Sequence, residues 1–500
     1  MELAYLPEVY VKPEEVFVLY KFWYAKIINK QGDFEWKIDH LKFIEFLRSQ
    51  GFRRYDVNHE YIFVKIHRRI IEVIPITRIQ DEVIKYCESL NEYYLDEDGI
   101  TREELLSKFY TSPAIFFNDK KLSMLGVQKD LVLNTDSKDE SFIYYKNGFV
   151  RCNADGYELF PYKKLNGYVF RDQIKDREFE KYSSSGMFRE FLWNISGKNE
   201  SRFLALKTMI GYLLHSFYET KLKAVTLTDS SISDNAEGRT GKTLLGRAIS
   251  QIKNVCEISG KDFDPTNKHK YSSAKIDTQI VFLNDLQKKF SIESLFNDIS
   301  DAITVDRKNM HPFNIRAKIL IAANDTFRIE GASAKDRVIE YELADHYNAE
   351  FSPADEFGAW FFRDWNKIEW LMFDNLMMEC VSLYLKYGVL EADPINLDKR
   401  KQIQHTNIDL VEFLDEKIKR GELRSGFDYD KNLLHTEFLE EYPEYKEDRW
   451  LKRNANFTKN LKTYAAFSNR LKGKIQERRA NGKSFIRFGI AEDSQADLQF

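Results

Sequence analysis

Ala236-Glu-Gly-Arg-Thr-Gly-Lys-Thr243 lies between an apolar run, KAVTLT at 223–228, and a helix-patterned stretch, KTLLGRAISQI at 242–252. A strand, a glycine-containing turn and a helix that begins Lys-Thr are the parts of a phosphate-binding loop, which sets the fold class as α/β. Glycines let backbone N–H groups turn toward an anion, and the helix start adds positive potential. Lys242 can neutralise β- and γ-phosphate oxygens, and the Thr243 hydroxyl can ligate Mg²⁺. The nucleotide-binding candidates are therefore Ala236, Gly238, Arg239, Thr240, Gly241, Lys242 and Thr243. Ala236 stands where the usual pattern has its first glycine. Alanine removes little room there, and Gly238 supplies another flexible position. These residue types point to nucleotide hydrolysis.

Such chemistry requires a carboxylate at the end of a neighbouring buried strand. Ile280-Val-Phe-Leu-Asn-Asp285 is a run of that kind, which makes Asp285 the candidate Mg²⁺ acid beside Thr243. Lys318-Ile-Leu-Ile-Ala-Ala-Asn324 is a second apolar strand ending in an amide, which can orient water against a γ-phosphate without adding negative charge. Ser333-Ala-Lys-Asp-Arg337 then precedes the strand-like VIEYEL, so Arg337 is expected on a loop at the mouth of a sheet, within reach of a neighbouring subunit's γ-phosphate. Taken singly, Asn324 reads as an ordinary strand end and Arg337 as a solvated charge. Their order along the chain makes Lys242, Asp285, Asn324 and Arg337 the catalytic candidates.

From Val225 to Leu343 this order resembles the superfamily 3 helicases of the AAA+ class, and more narrowly the helicase half of phage, plasmid and poxvirus-type primase-helicases. The resemblance implies an AAA+ P-loop ATPase core using ATP and Mg²⁺. It also implies a homo-oligomeric ring, probable in the family as a hexamer, in which Lys242, Thr243 and Asp285 act in cis and Arg337 acts in trans. Family members carry a basic hairpin between the metal acid and the asparagine, which grips DNA in the ring's channel. Ile303-Thr-Val-Asp-Arg-Lys-Asn-Met-His-Pro-Phe313 matches its position, so Arg307, Lys308 and His311 are the expected DNA contacts, with movement in the 3′ to 5′ sense. Many relatives have a second, water-activating acid where this chain has Asn284, which leaves the general base open.

Around this core the chain divides by composition. Residues 1–95 read as an N-terminal α+β accessory module, with a helix in DHLKFIEFLRSQG closed by Gly51. Residues 96–185 read as mixed strands and turns, with a hairpin around Asp155-Gly156. Asp96-Glu-Asp98 is the only short acidic group that invites a two-metal priming site. Gly99 and a helix start follow it at once, so it reads as a solvated turn, and a separate primase is the expected partner. Residues 186–222 read as a helical collar or as a helical layer packed on the sheet. Residues 223–390 read as the ATPase, ending in an aromatic- and Met-rich helical lid or core. The shift at Ala392-Asp-Pro-Ile-Asn-Leu-Asp marks a boundary before residues 395–500.

Between Leu451 and Ile490 the chain has six Lys and five Arg against the single acid Glu477, a local charge of +10 in a protein whose net charge is −4. That asymmetry is the footprint of a phosphate-facing surface on an otherwise acidic protein. Its pattern of helix, helix and two strands around Ala480-Asn-Gly482 resembles a winged helix. Lys452, Lys459, Lys462, Arg478, Arg479 and Lys483 are the DNA-contact candidates there, with a solvated basic helix as the alternative.

Bulk properties set limits. Apolar content of 43% with only 10 Pro argues against a disordered or fibrous chain. Cys87, Cys152, Cys256 and Cys380 are too far apart in sequence for a zinc motif, and read as reduced thiols of a cytoplasmic protein, in the host cytoplasm if viral. His215 and the other histidines form no ligand-like cluster. No secretory leader and no apolar run of membrane length is found. The expected function is an ATP-dependent DNA helicase in replication, acting on single-stranded and forked DNA. The alternatives are an origin-melting AAA+ initiator, or a DNA-binding ring that nucleotide merely stabilises.

Overall fold

The computed structural model describes residues 20–28, 30, 34–57, 60–91, 99–128, 131–218, 222–231, 239–287, 290–308, 311–324, 336–397, 399–400, 403, 406–447, 451–468, 471, 474–480 and 482–490. Ala236, Gly238 and the Asp96–Asp98 group lie outside them.

The apolar runs singled out in the sequence become one parallel sheet. Its strands are β1 (Ala224–Asp229), β2 (Val255–Ser259), β3 (Ile280–Leu286), β4 (Lys318–Ala323) and β5 (Val338–Leu343), in the order β2-β3-β4-β1-β5. A parallel sheet covered on both faces has no polar face, which is why its central strands β3 and β4 read as apolar runs, while the edge strands β2 and β5 carry Glu257, Glu340 and Glu342. Side chains alternate between two cores. Val225, Leu227, Ile280, Phe282, Leu320 and Ala322 enter one, with helices Met187–Ile195, Glu200–Leu214 and Lys367–Tyr387. Ala224, Val281, Leu283, Ile319 and Ile321 enter the other, with Tyr271, Leu295 and Ile303.

Within 186–222, helices Met187–Ile195 and Glu200–Leu214 thus form a layer in the same core as the sheet. Its helix Glu200–Leu214 lies so close to Lys367–Tyr387 that a Cβ on Gly211 would stand 2.0 Å from the Cys380 carbonyl oxygen, so only glycine fits there. The antiparallel hairpin expected around Asp155-Gly156 is present, pairing Gly148–Asn153 with Gly156–Phe160. Its sheet is tied to the long helix by Tyr157, whose hydroxyl lies 3.1 Å from Asn375 Oδ1, and by a bidentate Arg177–Asp374 pair at 2.6 and 2.7 Å.

The core of the N-terminal module runs past residue 95. Ile100, Leu105, Phe109, Phe116, Phe117, Leu122 and Leu125 share it with Phe22, Phe43, Phe46 and Ile79. Its four-stranded sheet is completed by Val169–Phe170, which pairs in parallel with Ile70–Ile71.

The C-terminal residues form a separate core. In chain order they give helix Ile408–Lys419, strand Asp428–Asp430, helices Lys431–Glu441 and Asn454–Phe467, and strands Lys474–Ala480 and Lys483–Ile490. The last strand sits between the other two in an antiparallel sheet. All four cysteines are buried and free. Among the described residues no helix is long and apolar enough to cross a membrane.

Candidate nucleotide site

Because the five strands run in parallel, their carboxyl ends gather on one edge of the sheet, the edge at which open α/β sheets place ligands. β1 ends there at Asp229, β3 at Asn284 and Asp285, and β4 at Ala323, next to Asn324. The helix Lys242–Ser250 begins at the same edge, capped by Gly241 at φ +108 with no side-chain hydrogen bond to its first turn. Its first N–H groups therefore have no capping side chain. Gly241 also packs on Phe191, whose Cζ would stand 2.8 Å from an added Cβ. Glycine is required there by both the left-handed backbone and the space.

The Lys242 ammonium donates to Asp229 Oδ2 at 2.5 Å, and the Thr240 hydroxyl donates to Asp229 Oδ1. Lys242 and Asp229 are both buried. Burial pulls the proton affinity of Lys242 below that of an ordinary lysine, against the pull of Asp229. Lys242 is thus already desolvated and held by a carboxylate. Sequence reasoning passed over Asp229, although the signal was present: an acid ending an apolar strand, the same pattern that marks Asp285.

On β3 the two polar residues part company. The Thr243 hydroxyl donates to Asn284 Oδ1 at 3.1 Å, and Asn284 Nδ2 donates to Glu257 Oε1 on β2 at 2.8 Å. Asp285, the expected metal acid, pairs with Lys261 at 2.9 Å, and its charge also acts on Lys242. The reason is local. The register slips between Leu283 and Leu286, and Asp285 takes a left-handed backbone at φ +63 that turns its side chain away from Asn284's direction. Asn284 thus faces Thr243, and Glu257, which sequence reasoning missed, backs it from the adjacent strand.

Asn324 is at the same edge. Its carbonyl oxygen accepts from Arg400 Nη2 at 2.5 Å, and the carbonyl of Asp229 accepts from Arg400 Nη1. Arg400 is buried and comes from beyond the 223–390 segment. The connector that brings it is docked rather than loose: the Ile395 N–H donates to Glu342 Oε2 at 2.7 Å, and Asn396 Nδ2 donates to the Ser230 carbonyl at 2.9 Å. Nothing in the sequence LDKRKQ distinguishes Arg400 from a solvated charge.

Arg337 lies at the opposite edge. Its carbonyl accepts from the N–H of Ala224, the first residue of β1, while Lys242 follows the last. A six-residue strand separates them by about 20 Å, at roughly 3.3 Å per residue. The Arg337 guanidinium lies 5.2 Å from the Phe296 ring centroid, and Nε donates to Ser300 Oγ at 3.3 Å. One chain does not bring it to its own site.

The donors at the carboxyl edge suit Mg²⁺ and phosphate. A hydroxyl and an amide oxygen are hard ligands, and Mg²⁺ keeps several waters rather than demanding an all-protein cage. No three His, Cys, Asp or Glu side chains converge as a metal site among the described residues.

The expected DNA contacts are divided. Strands Ile303–Val305 and Phe313–Ile315 pair antiparallel. At the base of this hairpin Arg307 turns inward, donating to the carbonyls of Ser272 at 2.8 Å and Ala274 at 2.5 Å and covering the Phe313 ring. Arg307 is therefore an anchor of the hairpin, whereas Lys308 and His311 are exposed near its tip. In the C-terminal module Lys452, Lys459 and Arg479 are exposed. Lys462 is paired with Glu477 at 2.7 Å and Lys483 with Asp430 at 3.4 Å, and Arg478 lies 3.9 Å from Asp428. The Lys462 pair holds the Glu477 carboxyl below the usual range.

No protein-family model matches the chain, and no curated protein does. Among solved structures, the chain is similar to the apo C-terminal region of NrS-1, with 11% sequence identity over 90% of this chain and 99% of that one, at a TM-score of 0.42. Another apo structure of that region gives 12% identity over 90% and 100% at 0.43. A further one gives 12% identity over 91% and 100% at 0.40. Likeness at this level leaves function to the site's own chemistry.

Proposed function

We propose that the chain is an ATP-dependent DNA helicase of the superfamily 3, AAA+ type, acting in replication of a phage, plasmid or mobile element. The observation that carries this reading is the strand order β2-β3-β4-β1-β5. It inserts β4 between the strand leading to Lys242 and the strand bearing Asn284 and Asp285, so that Asn324 enters the site from its middle. That order is the one expected of an AAA+ core.

In this reading the helix start at Gly241, with Lys242, holds phosphate oxygens, and Thr243 and Asn284 hold Mg²⁺ directly or through water. Bound MgATP supplies the phosphoanhydride whose hydrolysis drives strand separation. Asn324 orients water, and Asp285 becomes available as a base by releasing Lys261. Arg337 serves the site of a neighbouring copy, which makes the active form a ring. The C-terminal order helix, strand, helix, helix, strand, strand supports a winged-helix reading, in which Lys452, Lys459 and Arg479 meet duplex phosphates.

The test is separation of a fluorescent forked duplex with ATP and Mg²⁺ by the intact chain and by Lys242→Ala. Unwinding that disappears in the variant is the expected result. DNA binding without unwinding by the intact chain would sink the helicase reading. Two observations favour the second reading, an initiator or a nucleotide-stabilised ring with weak catalysis: Asn284 replaces an acid, and Lys261 occupies Asp285. ATP turnover unmoved by single-stranded DNA would support the ring, and melting of a blunt origin fragment in place of a fork would support the initiator.

A further inference from the structure

We propose that the open edge of strand Gly156–Phe160 is a docking site for an extended, lysine- or arginine-bearing segment of a partner protein, which adds to it as a further strand. Gly156–Phe160 is the last strand of a four-stranded sheet in the order Ile174–Lys175, Ser141–Tyr145, Gly148–Asn153, Gly156–Phe160. Its pairing with Gly148–Asn153 closes at Asn153 and Gly156, across a two-residue turn. In an antiparallel ladder every second residue exchanges hydrogen bonds with the partner strand. Counted from that turn, Gly156, Glu158 and Phe160 bond inward, so the backbone N–H and C=O groups of Tyr157 and Leu159 point out of the edge. Among the described residues no group pairs with them.

A cleft of about 710 Å³ opens at this edge, lined by Tyr157, Glu158 and Leu159 and by the non-helical segment 178–181. That segment is fastened by side chains instead of by the strand. The Asn147 amide holds both the N–H and the carbonyl of Phe179, at 3.0 and 2.8 Å, and Asn375 Nδ2 donates to the Glu180 carbonyl at 2.8 Å.

The charge of the lining says what fits. Phe179 is buried, while Glu178 and Glu180 on either side of it are exposed. Glu158 is exposed as well, and its cross-strand neighbour Arg151 pairs with Glu140 at 3.6 Å. Among the described residues none of these three carboxylates is paired with a cation. Lys181, whose ammonium lies 5.4 Å from the Tyr157 ring centroid, and Lys367 also line the cleft, which leaves one negative charge in excess. The side chains of Tyr157 and Leu159 lie against the central core, on the face opposite Glu158. An incoming strand therefore meets apolar contact on one face and carboxylate on the other, which selects an apolar residue alternating with Lys or Arg. In antiparallel addition the apolar residues stand opposite Tyr157 and Leu159 and carry the N–H groups that bond them.

The experiment uses the full chain and a fluorescein-labelled ten-residue peptide alternating Lys with Val, read by anisotropy, with hydrogen exchange over residues 156–160 as the locator. Saturable binding and slowed exchange at Tyr157 and Leu159 are the expected result. Glu in place of Lys in the peptide should weaken binding by about tenfold or more, the scale of a few cross-strand charge pairs. N-methylation of the valines removes the bonding donors and keeps every charge, and should abolish binding, whereas N-methylation of the lysines should be tolerated. Glu158→Lys should weaken binding by about tenfold. Leu159→Pro removes an outward N–H without breaking a bond to Gly148–Asn153, and should abolish binding.

No binding of the Lys–Val peptide, equal binding of its valine-methylated form, or wild-type affinity in Glu158→Lys would each overturn the proposal. If Leu159→Pro does not fold, as judged by thermal melting, Glu158→Lys and the two methylated peptides decide.

Discussion

The two edges of the central sheet are built to different standards. At the carboxyl edge, Lys242, Thr240 and Arg400 converge on buried Asp229, and Thr243 pairs with Asn284 beside them. At the amino edge, Arg337 rests on Phe296 and Ser300, about a strand length away from that network. On the proposed ATPase reading, the difference teaches that one chain carries the binding half of its site and depends on a neighbouring copy for Arg337.

The largest expected effect tests that split. Arg337→Ala should retain nucleotide binding yet lose about 10³-fold in turnover, the scale of an arginine finger. Mixing it with Lys242→Ala should recover activity, because mixed rings contain some sites with both residues. No recovery on mixing, in the presence of heteromer formation, would break the comparison. Next in size is the stability of the binding half. Lys242→Ala leaves Asp229 buried without its cation and should cost about 3 kcal/mol in urea unfolding. A change below about 1 kcal/mol would mean that the network is not coupled as described.

Thr240→Val removes a hydroxyl donor to the same carboxylate and should cost about 2 kcal/mol by the same measurement. The smallest effect concerns the metal side. Asn284→Asp should lower the Mg²⁺ concentration needed for nucleotide binding by about tenfold, since it adds a charged ligand beside Thr243. An unchanged Mg²⁺ requirement would shift attention to Asp285 after release of Lys261.

Much of the central sheet was legible because parallel, doubly covered strands tend to be written as apolar runs, as β3 and β4 are in IVFL and ILIAA. The helix start at Lys242 and Thr243 was legible because Gly241 precedes an amphipathic run. Arg400 was not, because its burial depends on where a connector docks, and charge-rich connectors look alike whether solvated or sealed onto a sheet. Arg307 shows the converse: a basic residue in a hairpin reads as a ligand contact, but here two backbone carbonyls needed donors and took it. The contact of Asn284 with Thr243 and of Asp285 with Lys261 accompanies one left-handed residue, which composition does not encode for a non-glycine.

Val169–Phe170, the strand that completes the N-terminal sheet against Ile70–Ile71, sets a condition on how the chain is made. A ribosome adding about 5–20 residues per second leaves the first three strands of that sheet waiting several seconds for the fourth. During that interval the edge at Ile70–Val73 is an unpaired template for any other extended segment. The parallel ladder at Val169 closes that edge late, and a nascent chain truncated before it would leave the edge open.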